Sequence, residues 1–312
     1  MENICNEIEY VVDNSKYVKI NYKKLDEFIS NFGEPDYKHW FSEFDLYFSE
    51  KEKILLAFLI ESINFCFWQK PKYKILYKNN ELKGSEALFY RFIELVTKNK
   101  EFLDISKLNM MTIDDFSNFF KGYNSELPLF EERYNILKDT VNVIYKKGDN
   151  FYKELFAQKS DIELLNYIVS NFKYFDDSSN YKDVIVHFYK RVTLLVNDLF
   201  YMSETIHNNI KNVDNLGGCA DYGVPRTLRT YGILEYNEEL ANLVDNEIEI
   251  KHNSEMEIEI RANMLYVIEF AKNKLNSTGK KVNSIQLDNL IWQMGRKKPN
   301  ILPYHHTVTI FY

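Results

Sequence analysis

Apolar residues recur along this chain at helical spacing, and polar capping residues mark where the helices begin. Ser49 stands three positions before Glu52, ahead of an apolar run over residues 54–60, which is the pattern of a capping box. Thr112 with Asp115 is a second version. Ser254 with Glu257 opens the longest stretch. Ile260, Met264, Val267, Ala271 and Leu275 follow at helical intervals, predicting an amphipathic helix to about Lys274 that Asn276-Ser277-Thr278-Gly279 ends. Residues 285–294 read as another helix, with Gly295 as its C-terminal cap. Residues 184–201 also read as a helix. Val184, Phe188, Val192, Leu195 and Leu199 form its apolar stripe, Lys190 and Asn197 share a different face, and His187 lies one turn before Lys190. Residues 18–22, 74–77 and 307–312 are the candidate strands. No repeat and no Pro/Gly-rich linker interrupts the pattern, so residues 1–312 are expected to form a single compact domain, mainly α with a small β contribution.

Composition narrows the possible functions. The chain has 312 residues, enough for a sizeable core, and 45% of them are apolar, which excludes a wholly disordered chain. The 23 Tyr and 23 Phe are mostly core material, so a ring counts as functional only inside a motif. Lys and Arg total 39 against 46 Asp and Glu, a net charge of −7. That balance disfavours a broad nucleic-acid footprint and leaves room for a small phosphate pocket. Cys5, Cys66 and Cys219 are odd in number and far apart, with no CxxC and no zinc-ligand spacing, so no metal or cofactor is expected. The first residues are acidic with no apolar signal core, and no run approaches the ~18 apolar residues of a membrane span. Together these point to a cytoplasmic protein, expected to be a monomer.

Four clusters could carry chemistry: Asn64-Phe65-Cys66-Phe67-Trp68, Phe188-Tyr189-Lys190-Arg191, Ala220-Asp221-Tyr222-Gly223-Val224-Pro225, and Pro303-Tyr304-His305-His306-Thr307. Each has a plain structural alternative. The aromatic rings fill a core, Lys190 lies on a solvated helix face, Asp221 caps a turn, and the histidines belong to a tail.

Taken in order, these blocks resemble the queuosine-salvage protein family, as do Glu257-Ile258-Glu259-Ile260-Arg261, Pro128-Leu129-Phe130-Glu131-Glu132-Arg133 and residues 287–295 around Trp292. The resemblance runs from about residue 20 to the last residue. The chain departs from the family pattern at Gly223, Arg226, His306 and Val308, and in Gln69-Lys70.

The resemblance implies a fold like the helical, helix-hairpin-helix-type DNA glycosylases. It also implies hydrolysis of the N-glycosidic bond of queuosine 5′-monophosphate, a small-molecule nucleotide, with release of queuine. Such chemistry needs a carboxylate to stabilise an oxocarbenium-like transition state and to activate water, and Asp221 is the candidate. Asn64 would read the base edge, and Phe67 or Trp68 would stack on the ring. Glu259 would meet the cationic aminomethyl group of the base. Lys190, Tyr222, Arg229, Arg261 and His305 are the phosphate candidates. A helical glycosylase acting on another base, and a non-enzymatic nucleotide-binding protein, are the alternatives.

Overall fold

A computed structural model describes residues 2–44 and 47–312, and the side chain of Cys5 lies outside the described part. The described residues sort into two compact units. The first is built from Met1–Trp40, Asp177–Leu194 and Val213–Val308, and the second from Phe41–Asp176, Leu195–Asn212 and Thr309–Tyr312.

In chain order, the first unit opens with α1 (Glu2–Asp13), β1 (Val18–Ile20) and α2 (Tyr22–Ser30). The second unit follows with α3 (Glu50–Ser62), the hairpin β2 (Lys74–Tyr77) and β3 (Asn80–Lys83), and α4 (Ser85–Lys98). It continues with α5 (Ile105–Met110), α6 (Ile113–Phe119), α7 (Phe130–Lys147), α8 (Asp149–Ala157) and α9 (Asp161–Asn171). The chain then returns to the first unit for the hairpin β4 (Ser178–Tyr181) and β5 (Val184–His187) and for the start of α10 (Lys190–Met202). After α11 (Glu204–Ile210) come α12 (Gly223–Thr230), β6 (Leu234–Tyr236), α13 (Glu238–Asp245), α14 (Glu255–Ser277) and α15 (Ser284–Lys297). The protein is mainly α, with three two-stranded antiparallel pairs among the described residues: β1–β6, β2–β3 and β4–β5.

The capping signals act as the sequence suggests. Ser49 with Glu52 and Thr112 with Asp115 form reciprocal capping boxes at α3 and α6. Ser254 accepts the Glu257 N–H and starts α14, which runs to Ser277.

Helix α14 is the axis of the first unit and packs against α1, α2, α12, α15 and β1. Every residue from Glu257 to Leu265 is buried. A helix enclosed on all sides normally reads as apolar all round. Here Glu257, Glu259, Arg261 and Asn263 are buried with the apolar residues, so each must find a partner inside the unit.

Three expectations are corrected. Residues 184–201 are not one helix: 184–187 form β5, and Tyr189 at φ 52° turns the chain before α10 begins at Lys190. Val184 and Val186 alternate with more exposed positions, a period of two hidden inside an apparent helical stripe. Lys190 therefore stands at a helix start. Gly295 is not a cap but lies within α15, where a Cβ would collide with Thr227 Oγ1, so glycine is what lets α12 and α15 approach. Residues 307–312 form no strand. His306 makes an isolated bridge with Glu249, and the tail is otherwise irregular.

Candidate active site

In the first unit, three segments converge on Asp221: the turn before α10, the loop before α12, and the N-terminal half of α15. Asp221 is two residues ahead of α12 and accepts the N–H groups of Gly223 at 2.7 Å and Val224 at 3.2 Å, both through Oδ1. The turn-capping alternative is thus realised, and it occupies one carboxylate oxygen only. Oδ2 accepts no hydrogen bond from the described residues.

Packing around the carboxyl raises its pKa, opposed by the Lys190 ammonium, by those two N–H donors and by Arg226. Lys190 is itself buried, at 7% exposure. Its charge acts on Asp221 and on a second carboxyl, Asp288 of α15.

Asp288 was not singled out by sequence, although it lies in the block around Trp292. The available signal was its spacing: Asp288 and Trp292 are one helical turn apart and face the same loop. Asp288 Oδ2 accepts the Cys219 N–H at 3.0 Å, and Cys219 O accepts the Asp221 N–H at 2.7 Å. Burial pushes the Asp288 pKa well above the ordinary carboxylate range, and the nearby Asp221 pushes it further. Two carboxyls that share one environment do not both ionise readily. Asp221 has two N–H donors and Asp288 one, and the upward shift is the larger at Asp288, which makes Asp288 the weaker acid of the two.

Trp292 closes the other side of the turn. A Cβ on Gly223 would stand 2.7 Å from Trp292 Cδ1 and 3.1 Å from its Nε1. Gly223, one of the departures from the family pattern, therefore leaves room for an indole against the Asp221 turn.

Tyr222 meets Tyr304 edge to face at 5.1 Å, and the Arg226 guanidinium lies 3.9 Å from the Tyr304 ring centre. Arg226 Nε is buried and has no hydrogen-bond partner among the described residues.

Arg261 lies behind the carboxyl cluster and is fully buried. It donates from Nη1 and Nη2 to both oxygens of Asp177, at 3.1 Å and 2.5 Å, and from Nε to Ala220 O at 3.0 Å. Nη1 also reaches Glu257 Oε1 at 3.4 Å, and the Phe188 ring lies 3.9 Å from the guanidinium.

His305 is 2% exposed. Burial lowers its pKa to about 4; Glu257 favours the cation, and Arg261 and His306 oppose it. His305 is therefore a neutral imidazole at pH 7.

Other candidates are placed elsewhere. Glu259 accepts the N–H groups of Lys16, Tyr17 and Val18 and the hydroxyl of Tyr181, which anchors the start of β1. Arg229 forms a bidentate pair with Asp245, at 2.7 Å and 3.0 Å.

Asn64, Phe67 and Trp68 belong to the second unit. Asn64 Nδ2 donates to the buried Glu61 carboxylate at 3.0 Å. The turn after α3 has Cys66 at φ 49° and is held by Arg133, which donates to the carbonyls of Ile63 and Phe65. Its guanidinium stacks 4.4 Å from Phe65 and 4.8 Å from Phe67. Phe67 is buried and Trp68 half-buried.

The chain is similar in sequence to known proteins. A protein described as "Queuosine 5'-phosphate N-glycosylase/hydrolase" from Sphaerobacter thermophilus is 32% identical over 86% of this chain and 84% of its own length. Proteins of the same description from Dictyostelium discoideum and Nematostella vectensis are each 28% identical. They cover 96% and 88% of this chain, and 95% and 87% of their own lengths. The family model for the queuosine salvage protein matches residues 46–312. The chain belongs to the queuosine salvage protein family.

Proposed function

We propose that this protein hydrolyses the N-glycosidic bond of queuosine 5′-phosphate, releasing queuine and ribose 5-phosphate. The observation that carries the proposal is Asp221, a carboxylate with one oxygen tied to two backbone N–H groups and the other uncommitted, beside Lys190 and a second buried carboxyl, Asp288. As the C1′–N bond breaks, its electron pair leaves with the base and positive charge grows on the ribose. The Asp221 carboxylate stabilises that charge and takes a proton from the water whose oxygen bonds to C1′. The departing base takes up a proton from solvent, and Asp221 releases the proton it took from water, which restores the carboxylate. Asp288, the weaker acid, keeps its proton while Asp221 ionises, and the Lys190 charge favours the Asp221 carboxylate.

Binding of the 5′-phosphate falls to Arg226 and the Tyr222 hydroxyl. The guanidiniums of Arg229 and Arg261 are already committed to Asp245 and Asp177. A neutral His305 contributes an N–H donor and no charge. The reading treats the chain as one glycosidase domain acting as a cytoplasmic monomer that needs no metal. Cys66 and Cys219 are buried and in no disulfide, and among the described residues no helix is long and apolar enough to cross a membrane.

The test is release of queuine followed by mass spectrometry, with queuosine 5′-phosphate, queuosine and intact modified transfer RNA as substrates, with and without chelator. The expected result is release from the mononucleotide, unchanged by chelator, and none from transfer RNA. The net charge of −7 disfavours gripping a polyanion. No release from the mononucleotide at high enzyme concentration overturns the reading.

A further inference from the structure

We infer that Arg261 is a positioning residue that sets the placement of Lys190 relative to Asp221, and that it is not a ligand of the substrate phosphate. This rests on the assignment of Lys190 and Asp221 to the reaction.

Lys190 and Asp221 come from separate segments, and neither is held by regular secondary structure on its N-terminal side. The turn that delivers Lys190 is anchored on Asp177. Its backbone oxygen accepts the N–H groups of Phe188 at 2.9 Å and Tyr189 at 3.4 Å, and its Oδ2 accepts the Lys190 N–H at 3.4 Å. Tyr189 occupies left-handed backbone there, a conformation that needs such support. The loop that delivers Asp221 is anchored one residue earlier, at Ala220 O.

Both anchors end on one guanidinium. Arg261 grips the Asp177 carboxylate with Nη1 and Nη2 and the Ala220 carbonyl with Nε. The planar fork fixes the angle between these two contacts. The Phe188 ring covers one face of the guanidinium at 3.9 Å, so the Lys190 turn touches it a second time.

Glu257 holds the guanidinium from the first turn of the same helix, and Glu257 is itself fixed by the Asn253 N–H at 3.1 Å. A lysine ammonium is a point donor on a flexible stem and cannot span Asp177 and Ala220 O with this geometry. With 0% exposure and its N–H groups directed at protein acceptors, Arg261 has no face left for a phosphate.

The experiment compares Arg261→Lys and Asp177→Asn with the wild-type protein on queuosine 5′-phosphate and on queuosine, alongside thermal melting. Arg261→Ala, assayed with and without free guanidinium ion, is the third variant. Misplacing a reacting group by about 1 Å can cost on the order of 100-fold. The expected result is a fall in kcat of about that size for both substrates, with KM little changed in the folded variants and partial recovery of Arg261→Ala by guanidinium.

A loss confined to the phosphorylated substrate makes Arg261 a phosphate ligand and overturns the inference. So does wild-type kcat in folded Arg261→Lys and Asp177→Asn. Collapse of both melting transitions assigns Arg261 to folding alone and overturns it as well. Asp221→Asn run in parallel separates this from the underlying assignment. If Asp221→Asn turns over normally, the site itself is wrong. If Asp221→Asn is inactive while the Arg261 and Asp177 variants are unimpaired, only the positioning role fails.

Discussion

Asp288 Oδ2 accepts the backbone N–H of Cys219 at 3.0 Å, which ties α15 to the loop that presents Asp221. Cys219 in turn accepts the Asp221 N–H, so the two carboxyls share one short backbone segment. Burial and the neighbouring Asp221, opposed by a single N–H donor, raise the pKa of Asp288 further than that of Asp221, and in the proposed reaction the two have unequal roles.

Asp221→Asn keeps an oxygen able to accept the Gly223 and Val224 N–H groups while removing the charge. Turnover is expected to fall about 10²–10³-fold or more, as for other losses of transition-state charge stabilisation, with a melting temperature close to wild type. Asp221→Ala additionally loses the cap, a cost of about 0.5–2 kcal/mol. Single-turnover hydrolysis and thermal melting of both variants check this. Near-normal turnover in Asp221→Asn removes the residue from the mechanism.

Asp288→Asn tests the shared proton. The folded-state pKa of Asp288 is raised above its unfolded value, so its burial is least costly at low pH and costs stability as pH rises from about 4 toward the folded pKa. Removing that titration should stabilise the variant relative to wild type at neutral pH, with the difference shrinking in acid. Because Asp288 is the weaker acid of the pair, it is still protonated while Asp221 ionises, and the acidic limb of the kcat/KM profile should stay in place. Melting temperatures and pH–rate profiles between pH 4 and about 8 measure both effects. An acidic limb displaced to lower pH shows Asp288 charged in that range and rejects this order of ionisation.

His305 should make the protein acid-sensitive. Its folded pKa of about 4 lies below the ordinary histidine value of 6.5. Its contribution to stability is present above pH 6.5 and is lost as pH falls toward 4, because the unfolded chain takes up the proton first. The difference is worth on the order of 3 kcal/mol at most. In His305→Gln, which cannot titrate, the fall in stability between those pH values should be shallower by that order in chemical denaturation. An identical slope shows that His305 is not the group responsible.

Gly223→Ala places a methyl group 2.7 Å from Trp292 Cδ1. The indole must move, and overpacking of this kind costs about 1–3 kcal/mol. Because Trp292 stands against the Asp221 turn, the variant should lose turnover as well as stability. Adding Trp292→Phe, which supplies a smaller ring, should recover part of both. Urea denaturation and hydrolysis rates of the single and double variants decide it, and purely additive losses would separate Gly223 from Trp292.

The sequence by itself determined the class of the protein and named candidate residues for its proposed site. Capping at Ser49, Thr112 and Ser254 and the period of the apolar residues depend on neighbours within one or two turns, so they were legible, and the helices begin where they indicate. The order of the short blocks was enough to show the family and to offer Asp221 as the candidate carboxylate and Lys190 as a phosphate candidate. Where local patterns overlapped, the sequence misled. Residues 184–201 satisfy a helical stripe, but cross-strand pairing with residues 178–181 and the turn at Tyr189 make the first part a hairpin.

Only the tertiary structure decided what each buried charge does. Glu257, Glu259 and Arg261 lie on a helix enclosed on all sides, where periodicity assigns no face to solvent and none to a site. Their partners are distant in sequence: Lys16 to Val18 for Glu259, and Asp177 and Ala220 for Arg261. Asp288 escaped notice for the same reason. Its chemistry arises from desolvation and from a carboxyl in another segment, and both exist only once the chain has folded.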